Sequence, residues 1–232
     1  MMKTYIRTIW NDLLALFFPN VCHLCGTPLV KGEEQICMHC LCRLHYGEDE
    51  DPEQAASIFV GKSEIRESGS FFRYEKNGRV QELIHELKYY DNKELAYWLG
   101  RWAFVHLKEQ KSSLCDVDVL LPVPLHKSRL RERGYNQSEW IAKGISSVLS
   151  VPIDTTSVVR RVKTQTQTRR AVYERWSNME SVFELRDSSG LENKRVLLVD
   201  DVLTTGSTLN SCANVLSEIP GIYLSAFTLA KV

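Results

Sequence analysis

The chain has 232 residues, 44% of them hydrophobic, and its 29 basic residues match its 29 acidic ones. That apolar content excludes a disordered polar chain, and the length suits one α/β domain plus a small appendage. Zero net charge predicts no partner by itself, and seven cysteines, five of them between Cys22 and Cys42, are too few and too clustered for a disulfide scaffold.

Ile6, Ile9, Trp10, Leu13 and Phe17 fall on one helical face, which predicts an amphipathic helix over 3–18 that stops before Pro19. The stretch is too short for a bilayer and is broken by Asn11 and Asp12. No small-residue cleavage site follows it, so neither a transmembrane segment nor a secretory signal is predicted. Its apolar face is expected to dock on the protein, on a partner or loosely on a membrane surface. Together with the odd cysteine count, this points to a reducing cytoplasm.

Residues 20–46 hold two CxxC pairs, Cys22/Cys25 and Cys37/Cys40, eleven residues apart. Each pair can place two thiolates on one tight turn, and four thiolates suit a closed tetrahedral zinc site. Gly26 supplies the permissive dihedral after Cys25. His23, His39 and Cys42 are the competing ligands. The metal is expected to fold a stretch too short to have its own core. The acidic run 47–57 (GEDEDPEQAAS) reads as a linker. It divides the chain into a helix and zinc-binding module over 1–50 and an α/β domain over 58–232.

In that domain, 69–75 reads as a strand. Val80, Leu83, Ile84, Leu87 and Tyr90 mark a helix, and Leu95, Leu99, Trp102 and Ala103 a second. Residues 117–123 (VDVLLPV) form the next strand. A basic loop follows, carrying Lys127, Arg129, Arg131 and Arg133, and then a helix with Ile141, Ile145, Val148 and Leu149 on one face. Residues 158–183 form a second basic, polar stretch, whose weak apolar periodicity reads as a mobile loop. It can close over a charged leaving group or track a nucleic-acid backbone. Strands at 196–202 and 222–230 complete an alternation that predicts a mainly parallel sheet flanked by helices. Cys212 falls on the apolar face of the last helix and reads as a buried hydrophobe.

The segment 196–209, VLLVDDVLTTGSTL, carries the most chemistry. A buried strand runs into Asp200 and Asp201, then into Thr204, Thr205, Gly206, Ser207 and Thr208, then into a helix with Leu209, Cys212, Ala213 and Leu216 on one face. A helix N-terminus with a glycine and hydroxyls suits a phosphate. Carboxylates beside it would repel that phosphate, so they suit sugar hydroxyls. Phosphate plus vicinal hydroxyls describes a ribose 5-phosphate.

This segment resembles the phosphoribosyl-diphosphate (PRPP) signature of type I phosphoribosyltransferases. There, two adjacent acids contact the ribose 2′- and 3′-hydroxyls and the loop cradles the 5′-phosphate. The run PVPLHKSRLRERGYNQSEWIA, the spacing Arg161, Thr164, Gln167, Arg175, Asn178 and Phe183, and the four-cysteine module together resemble the ComF family. The resemblance covers residues 13–230. It implies a zinc-ribbon module joined to a type I phosphoribosyltransferase-like domain, with DNA uptake in natural transformation and single-stranded DNA as the setting. Arg133, Gly134, Tyr135, Asn136 and Gln137 match the family's middle motif.

If the chain is an enzyme, it would displace pyrophosphate from C1 of PRPP with a nitrogen nucleophile. Asp200 and Asp201 would then be the catalytic pair, orienting the ribose and offsetting positive charge. Lys127, Arg131 and Arg133 would face the pyrophosphate, Arg161 or Lys163 would close from the second stretch, and Mg²⁺ would accompany the ligand. No segment reads as a nucleobase pocket, so the acceptor is unassigned. The competing reading is a DNA-uptake protein that binds single strands along its basic loops and uses PRPP only as a ligand. A third is a PRPP sensor that needs no DNA.

Overall fold

The computed structural model describes residues 19–47, 51–161 and 182–232. The helix expected over 3–18 and the centre of the second basic stretch, Lys163 included, lie outside the described residues. Helices α1 (Met38–Leu41) and α2 (Pro52–Ala55) are single turns. Strand β1 (Ile65–Arg73) is followed by α3 (Arg79–Tyr89), α4 (Lys93–Glu109), β2 (Val119–Pro122), α5 (Lys127–Arg133) and α6 (Gln137–Leu149). Then come β3 (Val158–Arg160), β4 (Phe183–Leu185), β5 (Arg195–Leu203), α7 (Ser207–Leu216) and β6 (Tyr223–Lys231).

Four strands form a wholly parallel sheet in the order β1-β6-β5-β2. Side chains of β5 alternate between two cores, as a strand covered on both faces requires. Leu197 and Val199 join the apolar cluster of α3, α4 and α6, while Val196 and Leu198 join that of α7 and Phe59. Two glycines let α4 and α6 approach closely. A methyl group on Gly100 would lie 2.2 Å from the Ile141 carbonyl, and one on Gly144 2.0 Å from the Tyr97 carbonyl.

The cysteine module is built into the first of these cores. Ile36, Leu41 and Leu44 are buried in the same cluster as Leu83, Leu87 and Leu95. Its tail adds to the outer edge of β1, where the Gly47 N–H donates to the Phe71 carbonyl and the Arg73 N–H to the His45 carbonyl, each at 2.9 Å. That pairing covers an otherwise open strand edge.

Three expectations need correcting. The first strand begins at Ile65 and ends at Arg73, earlier than 69–75. The basic connection after β2 is helical over α5, capped by the His126 side chain, which accepts from the Ser128 N–H. Its straight-chain residues favour helix, but α5 buries nothing, so no apolar periodicity announces it. The second basic stretch is not all irregular, because its two ends pair as the antiparallel strands β3 and β4.

Candidate functional site

β5 carries its chemistry at the carboxyl end of the sheet, the usual ligand edge of a parallel α/β fold. Asp200 stands opposite Thr228 of β6, one residue past the Val199–Pro122 pair with β2. One oxygen of Asp200 accepts from the Ser138 hydroxyl at 3.0 Å and from the Asp201 N–H at 2.9 Å. Asp201 forms an ion pair with the Lys88 Nζ at 3.2 Å, its side chain only 14% exposed. Burial, and then the Asp201 charge, push the Asp200 carboxyl up to about 7.

The turn that follows is shaped for an anion. Gly206 sits in the left-handed region, φ 73°, as N-cap of α7 and has no side chain to cap it, while the Thr205 hydroxyl accepts from the Ser207 N–H at a long 3.4 Å. A methyl group on Gly206 would come within 2.9 Å of the Phe59 ring, so glycine is required on two counts. Asn210 holds the turn from behind: its N–H donates to the Gly206 carbonyl at 2.8 Å and its Oδ1 accepts from the Ser63 hydroxyl at 2.7 Å. Thr204, Thr205 and Ser207 are exposed and Thr208 is half-buried. The geometry therefore presents helix-start N–H groups and hydroxyls beside two carboxylates.

The four cysteines meet. The sulfurs of Cys22, Cys25, Cys37 and Cys40 all lie within 4.8 Å of one another. Cys25 and Cys37 are 3.7 Å apart, against about 3.8 Å for the edge of a tetrahedron with zinc–thiolate bonds. The Cys37 N–H donates to the Cys22 sulfur at 3.3 Å and the Arg79 guanidinium to the Cys40 sulfur at 2.9 Å, contacts that suit thiolates. The side chains present fit a metal ion. The rival ligands are engaged elsewhere or exposed. His23 contacts Gln35 and Asn92, His39 contacts Arg43, and Cys42 is exposed outside the cluster.

The phosphoribosyl transferase domain family matches residues 136–219, from the N-cap of α6 through β5 to just past α7. Over 153 residues the chain is 32% identical to "Competence protein F" of Haemophilus influenzae, covering 64% of this chain and 66% of that one. It is 31% identical over 139 residues to "DNA utilization protein YhgH" of Escherichia coli K12, covering 59% and 60%. It is 27% identical over 224 residues to "Competence protein ComFC" of Bacillus subtilis, covering 91% and 84%. This is a ComF-like protein. It spans just under two thirds of the first relative's length and less of the second's. The ComF-like chain joins a phosphoribosyltransferase-type parallel sheet, flanked by helices, to an N-terminal four-cysteine cluster that can hold a zinc ion.

The cations of this ComF-like protein divide into two groups. Lys127 and Arg131 are exposed on α5, the segment that leaves the carboxyl end of β2 beside β5. Arg133 is half-buried and donates to the Gln137 Oε1 at 3.0 Å. Arg161 pairs with Glu184 across the β3–β4 hairpin. Two motif residues turn out to be buried braces. The Tyr135 hydroxyl and the Gln137 amide both donate to the Leu87 carbonyl, at 2.5 and 3.1 Å. The Asn136 side chain donates to the Val123 carbonyl at 3.1 Å. These bonds fix the path from β2 to α6 over the sheet edge.

Sequence reasoning missed Lys88 and Ser138. Both carried a usable signal. Lys88 stands four residues after Ile84 on an apolar helical stripe, and Ser138 three before Ile141 on another. A polar residue on a buried face needs a partner. Among the described residues, no helix is long and apolar enough to cross a membrane. Cys212 is fully buried, and burial raises its thiol.

Proposed function

We propose that this chain binds PRPP at the carboxyl end of β5 and serves DNA uptake in natural transformation by binding single-stranded DNA along its basic segments. The observation that carries the reading is the placement of the Asp200–Asp201 pair near the end of β5, one short turn before a helix N-terminus that opens on Gly206. Asp200 and Asp201 take the ribose hydroxyls. Thr204, Thr205, Gly206, Ser207 and Thr208 hold the 5′-phosphate through backbone N–H groups and hydroxyls. Lys127, Arg131 and Arg133 face the pyrophosphate, with Arg161 and Lys163 closing from the second basic stretch. Names of relatives that mention competence and DNA utilization support the physiological half of the reading.

Magnesium belongs with the ligand. Among the described residues the cysteines are the one group of three or more metal-ligating side chains, so an ion at the carboxylates would take most of its oxygens from PRPP and water. When bound, it would neutralise pyrophosphate charge. Zinc belongs in the cysteine cluster, where it would hold the 1–50 unit against the 58–232 phosphoribosyltransferase-like domain. A cytoplasmic setting, where thiolates stay reduced, fits both ions.

Calorimetry with PRPP and magnesium tests the ligand, with Asp201→Asn as control: heat in the parent chain and its loss in the variant are expected, and no heat in either ends the reading. For DNA, affinity for a single strand should fall steeply with salt, and fall again when Arg129 and Arg131 are replaced by Gln. Absent or salt-independent binding counts against it. The second reading, an active phosphoribosyltransferase using an unidentified nitrogen acceptor, is favoured by the domain family itself. It requires release of pyrophosphate from PRPP by the purified chain, abolished by Asp201→Asn.

A further inference from the structure

A cavity of about 520 Å³ opens where the cysteine module meets the end of β1, and no residue of the carboxylate turn lines it. Arg43 and His45 come from the module, Arg73 from the end of β1, Glu75 from the turn after it, and Gly78 and Arg79 from the start of α3. Among the described residues, three arginines and one carboxylate line it, and Arg43 also contacts His39. That carboxylate is already engaged, since Glu75 lies 2.8 Å from the His45 Nδ1. Arg79 gives one N–H to the Cys40 sulfur. A guanidinium carries five donors, so this bond orients the side chain without exhausting it.

The backbone adds donors of the same sign. α3 runs eleven residues, begins after Gly78, and has no side-chain cap. Gly78, Arg79 and Val80 line the cavity, so the first N–H groups of the helix and its positive dipole end join the arginines. Planar guanidinium forks and the N–H groups of a helix start are the donors that phosphate oxygens take. The volume is far more than a bare phosphate needs and falls within the range of small-molecule pockets.

We propose that this cavity is a second anion site, which takes the phosphate monoester of a phosphorylated small molecule of nucleotide size. Its basis is independent of PRPP binding. The test uses the full chain carrying Thr205→Asp, which puts a carboxylate in the exposed phosphate turn, so that the phosphate binding left over reports the cavity. A nucleoside 5′-monophosphate is titrated by calorimetry, with the parent nucleoside and inorganic phosphate as separate arms.

The monophosphate is expected to bind, the nucleoside not to bind, and inorganic phosphate to bind more weakly. Arg43→Gln and Arg73→Gln, both at exposed positions, should each weaken the monophosphate about tenfold. Glu75→Gln should tighten it, a gain that damage to the fold would not produce. Loss of all monophosphate binding in the Thr205→Asp chain overturns the proposal, as does nucleoside binding of equal strength. Unchanged affinity in both arginine variants overturns it too. Equal affinity for inorganic phosphate overturns the assigned ligand size.

Discussion

The cysteine cluster and the carboxylate turn both start from short local sequence signals, yet they are finished differently. The cluster closes on itself. Its four sulfurs come from two turns that both lie between Cys22 and Cys40, and three of the four cysteines are buried in a core shared with α3 and α4. The turn stays open. Its carboxylates are held by Ser138 and Lys88, from helices far away in the chain, while Thr204, Thr205 and Ser207 remain exposed. A closed set of four soft donors suits a resident metal that contributes folding energy, and an open set of mixed polarity suits a ligand that comes and goes.

The largest effect should follow from breaking the closed site. Cys40 has no exposed surface and receives the Arg79 guanidinium. Cys40→Ser should abolish metal binding and lower Tm by on the order of 10 °C, because ligand loss also loosens the core around Leu83 and Leu95. Thermal unfolding with and without a strong chelator, alongside metal analysis, checks it. A parent chain that carries no zinc and melts unchanged in chelator would collapse the contrast.

The open site should separate binding from folding. Asp201→Asn keeps the shape of the side chain and removes its charge, so PRPP affinity is expected to fall about tenfold or more while Tm moves by only a few degrees. Gly206→Ala forces a methyl group toward Phe59 at positive φ. It should cost about 1–2 kcal/mol of stability and a similar factor in affinity. If either variant lost stability as Cys40→Ser does, the turn would be part of the fold's support rather than a ligand edge.

The same contrast explains what was legible in the sequence. The CxxC turns and the strand–turn–helix of 196–209 are local, so spacing alone places their residues. Ser138 meets Asp200 across 62 residues. No window around either residue contains that contact, and only the topology β2-β5 with α6 above it brings them together. α5 was hidden for a different reason: a helix that buries no side chain has no stripe to read. Tyr135 was legible as a motif residue but not as a brace, because its bond to the Leu87 carbonyl depends on where α3 ends.

The smallest effect is the most specific to the open site. Asp200 carries a carboxyl raised from the usual 3.8 to about 7. Between those values the unfolded chain has released a proton that the folded chain keeps, so this group's contribution to stability is complete below about pH 4 and fades as pH rises through 7. Asp200→Asn should flatten that decline in Tm. A ligand whose hydroxyls need the ionised carboxylate should bind more tightly above pH 7 than below it. Lys88 pulls the other way, since its charge helps to hold Asp200 down. Lys88→Met should therefore move the midpoint of the affinity profile to higher pH. It should also lower Tm, because it leaves the Asp201 carboxylate, only 14% exposed, without its partner, so the pH midpoint and not Tm is the readout. A pH profile that Lys88→Met leaves in place would mean that Asp201 and its lysine do not set the charge of the site.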